Sequence, residues 1–153
     1  MASSYSTNFG IEEMATGDQS GTWGTTTNYN FDIIDRLAAY GTVALSDAST
    51  ATLTVRAASP SSGSSNVQSG MYRVVKFTGT LSQHCTITVA PATTTAYFMI
   101  QNATSGGYNI LMSQGSGAAK VTIPSAKTNI IYCDGSDEVI SITDKLADRD
   151  WET

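Results

Sequence analysis

His84, Cys85 and Cys133 are the side chains in this chain that could do nucleophilic or metal chemistry, since it has one histidine and two cysteines. His84 and Cys85 are neighbours in a strand-like run, so their side chains point to opposite faces. Cys133 lies far along the chain, with no Cys-x-x-Cys pair. A tetrahedral metal site needs clustered ligands at short, defined spacing, and a catalytic thiol needs a base within reach. Neither pattern is present, and both cysteines read as buried small hydrophobes. Asp134, Asp137 and Glu138 could in principle act as paired carboxylates on a glycosidic bond. They crowd one hairpin, however, and read as solvated turn charge without the spacing of a calcium loop. The glycine pieces "SGG" and "GSG" join strand to strand rather than strand to helix, so they form no phosphate cradle. The expectation is a protein that is not an enzyme and carries no cofactor or metal.

Binding is the alternative to catalysis. Tyr72, Tyr97, Tyr108 and Tyr132 fall in or beside strand-like runs. Of these, Tyr108 and Tyr97 are the candidates for a sugar-stacking contact. The competing reading, ordinary strand tyrosines divided between core and surface, is the stronger.

Those residues sit in a chain of 153 residues with 14% charged side chains, a net charge of −5 and abundant Thr, Ser and Gly. Charged residues usually make up about a quarter of a globular chain. The acidic balance excludes a phosphate-binding stripe, and Lys76, Lys120, Lys127 and Lys145 are scattered. No nucleic-acid partner is expected. No apolar run approaches a membrane span, and no basic-then-apolar start suggests a secretory signal. The chain is expected to be made in a cytoplasm and to stay soluble.

Residues 1–41 read as an arm, a Trp-containing segment and a helix. In "FDIIDRLAAY" (31–40) Phe31, Ile34, Leu37 and Ala38 share one face, with Asn30 as N-cap and Gly41 as stop. The preceding "SGTWGTTTNYN" places Trp23 between small residues, with Gly21 and Gly24 leaving its ring unshielded. From 42 to 143 the runs "TVALS", "ATLTVRA", "MYRVVKFTGTL", "CTITVAP", "TAYFMIQNAT", "YNILMSQ", "AKVTIPS", "TNIIYCDG" and "DEVISITD" alternate with turn residues. About eight or nine short strands at this spacing predict a mainly β domain, an antiparallel β-sandwich or small barrel. Asp134-Gly135 is the strongest hairpin signal. The Ser/Gly-rich segment 58–70 reads as a loop with little to bury, and residues 144–153 as a charged tail. No fixed-period repeat is visible.

The string "ATGDQSGTWGTTTNYNFDIIDRLAAYGTVAL", followed by "VVKFTGTL", "AYFMIQNATSGGYNILM" and "NIIYCDGSDEVISI", resembles tailed-bacteriophage tail-fibre or tail-appendage structural proteins of marine and cyanobacterial phages. Gly17, Ser20, Gly21, Thr22, Trp23, Gly24, Thr26, Asn28 and Asn30 match the first motif. Residues 102–108 and 132–135 match the later ones. The resemblance implies a virion protein, a tail fibre, appendage or adaptor, that assembles with copies of itself, a trimer being favoured, and with other virion proteins. Trp23, Gly21, Gly24, Asn28, Asn30, Phe31, Ile34 and Leu37 would form its docking segment. A capsid decoration or head-fibre protein is the alternative, and a carbohydrate-binding module contacting host-surface glycan the second alternative. The low charge fits protomers that face one another.

Overall fold

Strand after strand in this chain crosses to the opposite sheet. The computed structural model describes residues 2–115 and 120–143, so the expected tail at 144–153 lies outside the described residues. A two-stranded hairpin, β1 (Ser4–Tyr5) and β2 (Glu12–Glu13), is followed by α1 (Trp23–Leu37). Then β3 (Tyr40–Ala44) enters one sheet and β4 (Thr50–Thr54) the other. The alternation repeats with β5 (Val74–Thr78) and β6 (Cys85–Ala90), and again with β7 (Thr95–Asn102) and β8 (Ile110–Gln114). Finally β9 (Val121–Ile123) joins the second sheet, while β10 (Thr128–Asp134) and β11 (Val139–Ser141) join the first.

The protein is therefore mainly β with one helix among the described residues, built as two packed sheets and no closed barrel. The pairing departs from the antiparallel pattern expected. β3, β5 and β7 pair in parallel, as do β4, β6 and β8, so the chain winds through three coils. Antiparallel pairs close the far end: β8 with β9, β7 with β10, and β10 with β11. The Asp134-Gly135 signal does mark a hairpin, with Cys133 opposite Val139. The other turn signals mark corners between sheets, because a short polar turn serves a hairpin or a corner equally well.

The coils also explain why no repeat is legible in the sequence. Val74 pairs with Met99 and Cys85 with Ile110, an offset of 25 residues in both sheets. Tyr40 pairs with Val74 and Thr50 with Thr86, offsets of 34 and 36. Residues 55–73 lengthen the first coil, and the period is lost.

Between the sheets lie Leu53, Ile87, Val89, Ile110 and Met112 from one side and Val75, Phe77, Phe98, Ile100 and Ile131 from the other, all buried. Each strand places these at alternate positions, as a pleated backbone requires. The corners stack as tightly as the strands. Leu45 N–H donates to the Thr78 carbonyl at 2.8 Å and Leu81 N–H to the Ser105 carbonyl at 3.0 Å. Gly79 has φ 121°, and a Cβ there would collide with the Leu45 carbonyl of the neighbouring coil.

The helix differs from its expected bounds of 31–40. It begins at Trp23 with Thr22 as N-cap and ends at Leu37. Asn28 and Asn30 are thus helical rather than turn and cap residues, and Gly41 lies inside β3 rather than stopping the helix. The run "WGTTTNYN" has poor intrinsic propensity, with Gly, three β-branched Thr and two Asn. Tertiary packing overrides it. Thr26 and Ile33 are buried, Asn30 and Leu37 half-buried, all on one helical face. The segment 58–70 is likewise more than a polar loop. It contributes a 3-10 turn at Ser64–Asn66 and begins one at Ser69–Met71, buries Asn66 and Gly70 beside the buried Met71, and lies against α1.

Candidate assembly surface and its supports

A network of side chains holds α1 in place. Gln19, at φ 59°, sets its amide over the first helical turn. Its Oε1 accepts from Thr22 Oγ1 at 2.8 Å and Thr26 Oγ1 at 3.2 Å, while its Nε2 donates to Glu12 Oε1 at 2.7 Å. Ser62 Oγ donates to the same Glu12 oxygen at 2.7 Å, joining the 58–70 segment to the arm. Further along, Arg36 donates to the Gln68 carbonyl at 2.9 Å and lies over the Tyr72 ring. Arm, helix and loop form one unit.

One sector of what that unit presents outward is apolar. Trp23, Phe31 and Ile34 are 64%, 60% and 51% exposed. At about 100° per residue they share a sector roughly 80° wide with Thr27 and Ala38. Leaving three large apolar side chains exposed in one stripe forgoes about 1.5–3 kcal/mol for each that could be buried. Leu37 diverges from this stripe: it is half-buried and lines a cleft of about 190 Å³ with Phe9, Arg73 and Tyr97. Arg73 closes that cleft, donating to the Tyr97 carbonyl at 2.8 Å and the Met71 carbonyl at 2.9 Å, with its guanidinium over the Phe9 and Tyr97 rings. Gly21 is an exposed turn residue at φ 80°, and Gly24 and Asn28 are in the helix.

The candidate sugar contacts are not brought together. Tyr97 stands on the outer face of the first sheet. Tyr108 sits in a corner, packed partly against the core, with its ring edge-on to His84 at 5.5 Å. A second cleft, about 400 Å³, is walled by Gln19, Thr22, Thr25, Thr26, Tyr29, Ser62 and Gly63.

The two later motifs have structural work. In "NATSGGY" the Asn102 side chain is fully buried. It donates to the Tyr108 and Ile123 carbonyls at 3.1 Å each and accepts from Thr104 N–H and Oγ1 at 3.2 and 2.6 Å. Gln114, equally buried, donates to the Thr94 carbonyl at 2.6 Å and accepts from Gly135 N–H in the "YCDG" turn at 3.2 Å. A buried amide with all its partners stitches adjacent chain segments together.

The chemistry-bearing residues are placed as follows. Both cysteines are free and buried. Burial, with Asp134 adding to it, pushes the Cys133 thiol up to about 12, and burial pushes Cys85 up as well. His84 Nδ1 accepts from Asn109 N–H at 2.9 Å. Among the described residues no three His, Cys, Asp or Glu side chains gather as a metal site would require, and no helix is long and apolar enough to cross a membrane.

Comparison with known proteins adds no relative. No family model matches the chain, and no match is found among curated proteins or solved structures.

Sequence reasoning misses the sheet face around Tyr97. In β7 the run Tyr97-Phe98-Met99-Ile100 is apolar on both faces, so alternation does not reveal which side stays outside.

Proposed function

We propose that this chain is a non-enzymatic structural component of a bacteriophage virion, a tail fibre, tail-appendage or adaptor protein. It docks through α1 and builds a β-rich body. The observation that carries this reading is the exposed Trp23–Phe31–Ile34 stripe, held rigidly outward by the Gln19, Glu12 and Asn30 contacts. Aromatic side chains presented on a rigid support are what anchor protein interfaces. The motif resemblance supplies the virion context, and the hydroxyl-rich, charge-poor surface suits a protomer that lives among neighbours.

Immunogold labelling of intact virions tests it. Label on the tail supports the appendage reading. Label on the head moves the protein to capsid decoration with the same docking stripe, and absence from purified virions overturns both. The carbohydrate reading draws on the cleft beside Tyr29. The Gln19 amide in its wall, however, is engaged by Thr22, Thr26, Glu12 and Ser62, which leaves the hydroxyls of Thr25 and Tyr29 to recognise a sugar.

A further inference from the structure

Nine large hydrophobic side chains are exposed among the described residues, and their distribution is uneven. Three belong to the helix stripe. Five of the rest, Tyr40, Tyr97, Met99, Tyr132 and Ile142, are on the outer face of the β3–β5–β7–β10–β11 sheet, leaving Met14 alone elsewhere. We infer that this sheet face is the surface through which copies of the chain pack against one another. The inference rests on the self-assembly part of the proposed function and is independent of tail or head location.

Register makes the face continuous. Tyr40 pairs with Val74, Val74 with Met99, and Met99 with Ile130. Ile142 N–H donates to the Ile130 carbonyl at 2.8 Å and extends the row across the fifth strand. A second row runs beside it, Tyr97 opposite Tyr132 and Tyr132 opposite Ile140. Strands about 4.8 Å apart and outward positions about 7 Å apart give these eight positions a footprint of roughly 270 Å². That is about a third of the roughly 800 Å² each partner of a standard stable complex buries, with the flanking polar and charged rows adding to the contact.

The opposite sheet contrasts with it. Its outward positions on β4 and β6 are Thr50, Thr52, Thr54, Thr86, Thr88 and Ala90, with Thr50 paired to Thr86 and Thr52 to Thr88. A hydroxyl ladder suits water; an aromatic and aliphatic row does not.

Charge selects the occupant. The chain carries −5, so like copies repel. One row past Tyr132 and Ile140, Asp134 and Glu138 stand on the same outer face, beside Thr95; on the other side, the adjoining polar row Thr42, Lys76, Gln101, Thr128 carries Lys76, and the Arg73 guanidinium lies over the Tyr97 ring. Two copies packed face to face with their strands running in opposite directions set the Lys76 row of one against the Asp134 and Glu138 row of the other. Apolar along its two central rows, the face can pack on its own copy as one sheet packs on another at about 10 Å.

The test uses the full chain. Light scattering coupled to size exclusion should give an oligomer for the unaltered protein. Met99→Lys should weaken self-association at least about 100-fold, toward the protomer mass of 16.1 kDa. Thr52→Lys, on the hydroxyl face, should leave the oligomer unchanged. Met99→Cys should cross-link between copies with a short bismaleimide, and Thr52→Cys should not. Circular dichroism checks that each variant folds. If Met99→Lys stays oligomeric and Met99→Cys does not cross-link, the face assignment is overturned while self-assembly stands. A monomeric unaltered protein overturns both. Tyr97 signals that shift with an oligosaccharide on that monomer would hand the face to a sugar instead.

Discussion

The Asn30 side chain and the Glu12 backbone pair with each other in both directions. Asn30 Oδ1 accepts from Glu12 N–H at 3.0 Å, and Asn30 Nδ2 donates to the Glu12 carbonyl at 2.9 Å. A side-chain amide here does what a third strand would do, binding the edge of the β1–β2 hairpin to the middle of α1. Asn30→Ala strands both backbone groups in a part-buried place, which costs about 1–3 kcal/mol. Asn28→Ala, exposed on the same helix, should stay within about 0.5 kcal/mol. Urea denaturation of the two variants measures the difference, and equal midpoints would remove Asn30 from the docking framework.

Trp23 heads the exposed stripe and packs on little of its own protomer. Trp23→Ala is expected to shift the thermal midpoint by no more than about 2 °C, the size of a surface change in a chain this long. Incorporation into virions should fall sharply. A collapse in thermal stability with normal incorporation would mean that the ring belongs to the protomer's own packing.

Two glycines should respond in opposite directions. Gly24 is helical, and the place a Cβ would take there has nothing within 4 Å, so Gly24→Ala should raise stability by up to about 1 kcal/mol. Gly79 combines φ 121° with the Leu45 carbonyl where a Cβ would sit. Gly79→Ala should destabilise by more than the Gly24 gain, and calorimetry of both variants reads the two signs.

Cys133 couples stability to alkaline pH. Its folded-state value, about 12, lies above the roughly 8.5 of an unfolded thiol. The fold therefore holds the proton more tightly. Stability from this group is complete below about pH 8.5 and is lost as pH rises toward 12. Cys133→Ala should flatten that alkaline decline in a pH series of denaturant midpoints. Native protein should also resist thiol alkylation at pH 8 until unfolded.

Much of this architecture is legible in the residues. The β-rich body, the two-sheet packing and the Asp134-Gly135 hairpin follow from alternation and turn chemistry. Parallel pairing is not legible, because alternation is the same in either direction and turn residues do not say which sheet the chain enters next. The helix start is hidden by Thr and Asn residues whose local preferences oppose a helix, outweighed by contacts from Gln19 and from Glu12 in the arm. The stripe is half visible. Phe31 and Ile34 share a face by spacing, yet spacing cannot say whether that face turns inward; Ile33 takes the buried position. Tyr97 stands out as an aromatic, but its companions Tyr40, Met99 and Ile142 become neighbours only through register.

The shared offset of 25 residues, Val74 to Met99 and Cys85 to Ile110, makes the body a ruler. Each coil is hydrogen-bonded to the next, and in such arrays nearest-neighbour terms dominate the energy. One more turn of 25 residues, inserted between existing coils with its corner glycine in place, would lengthen the body by one strand spacing, about 4.8 Å. Reach could then be set in fixed increments without redrawing either end.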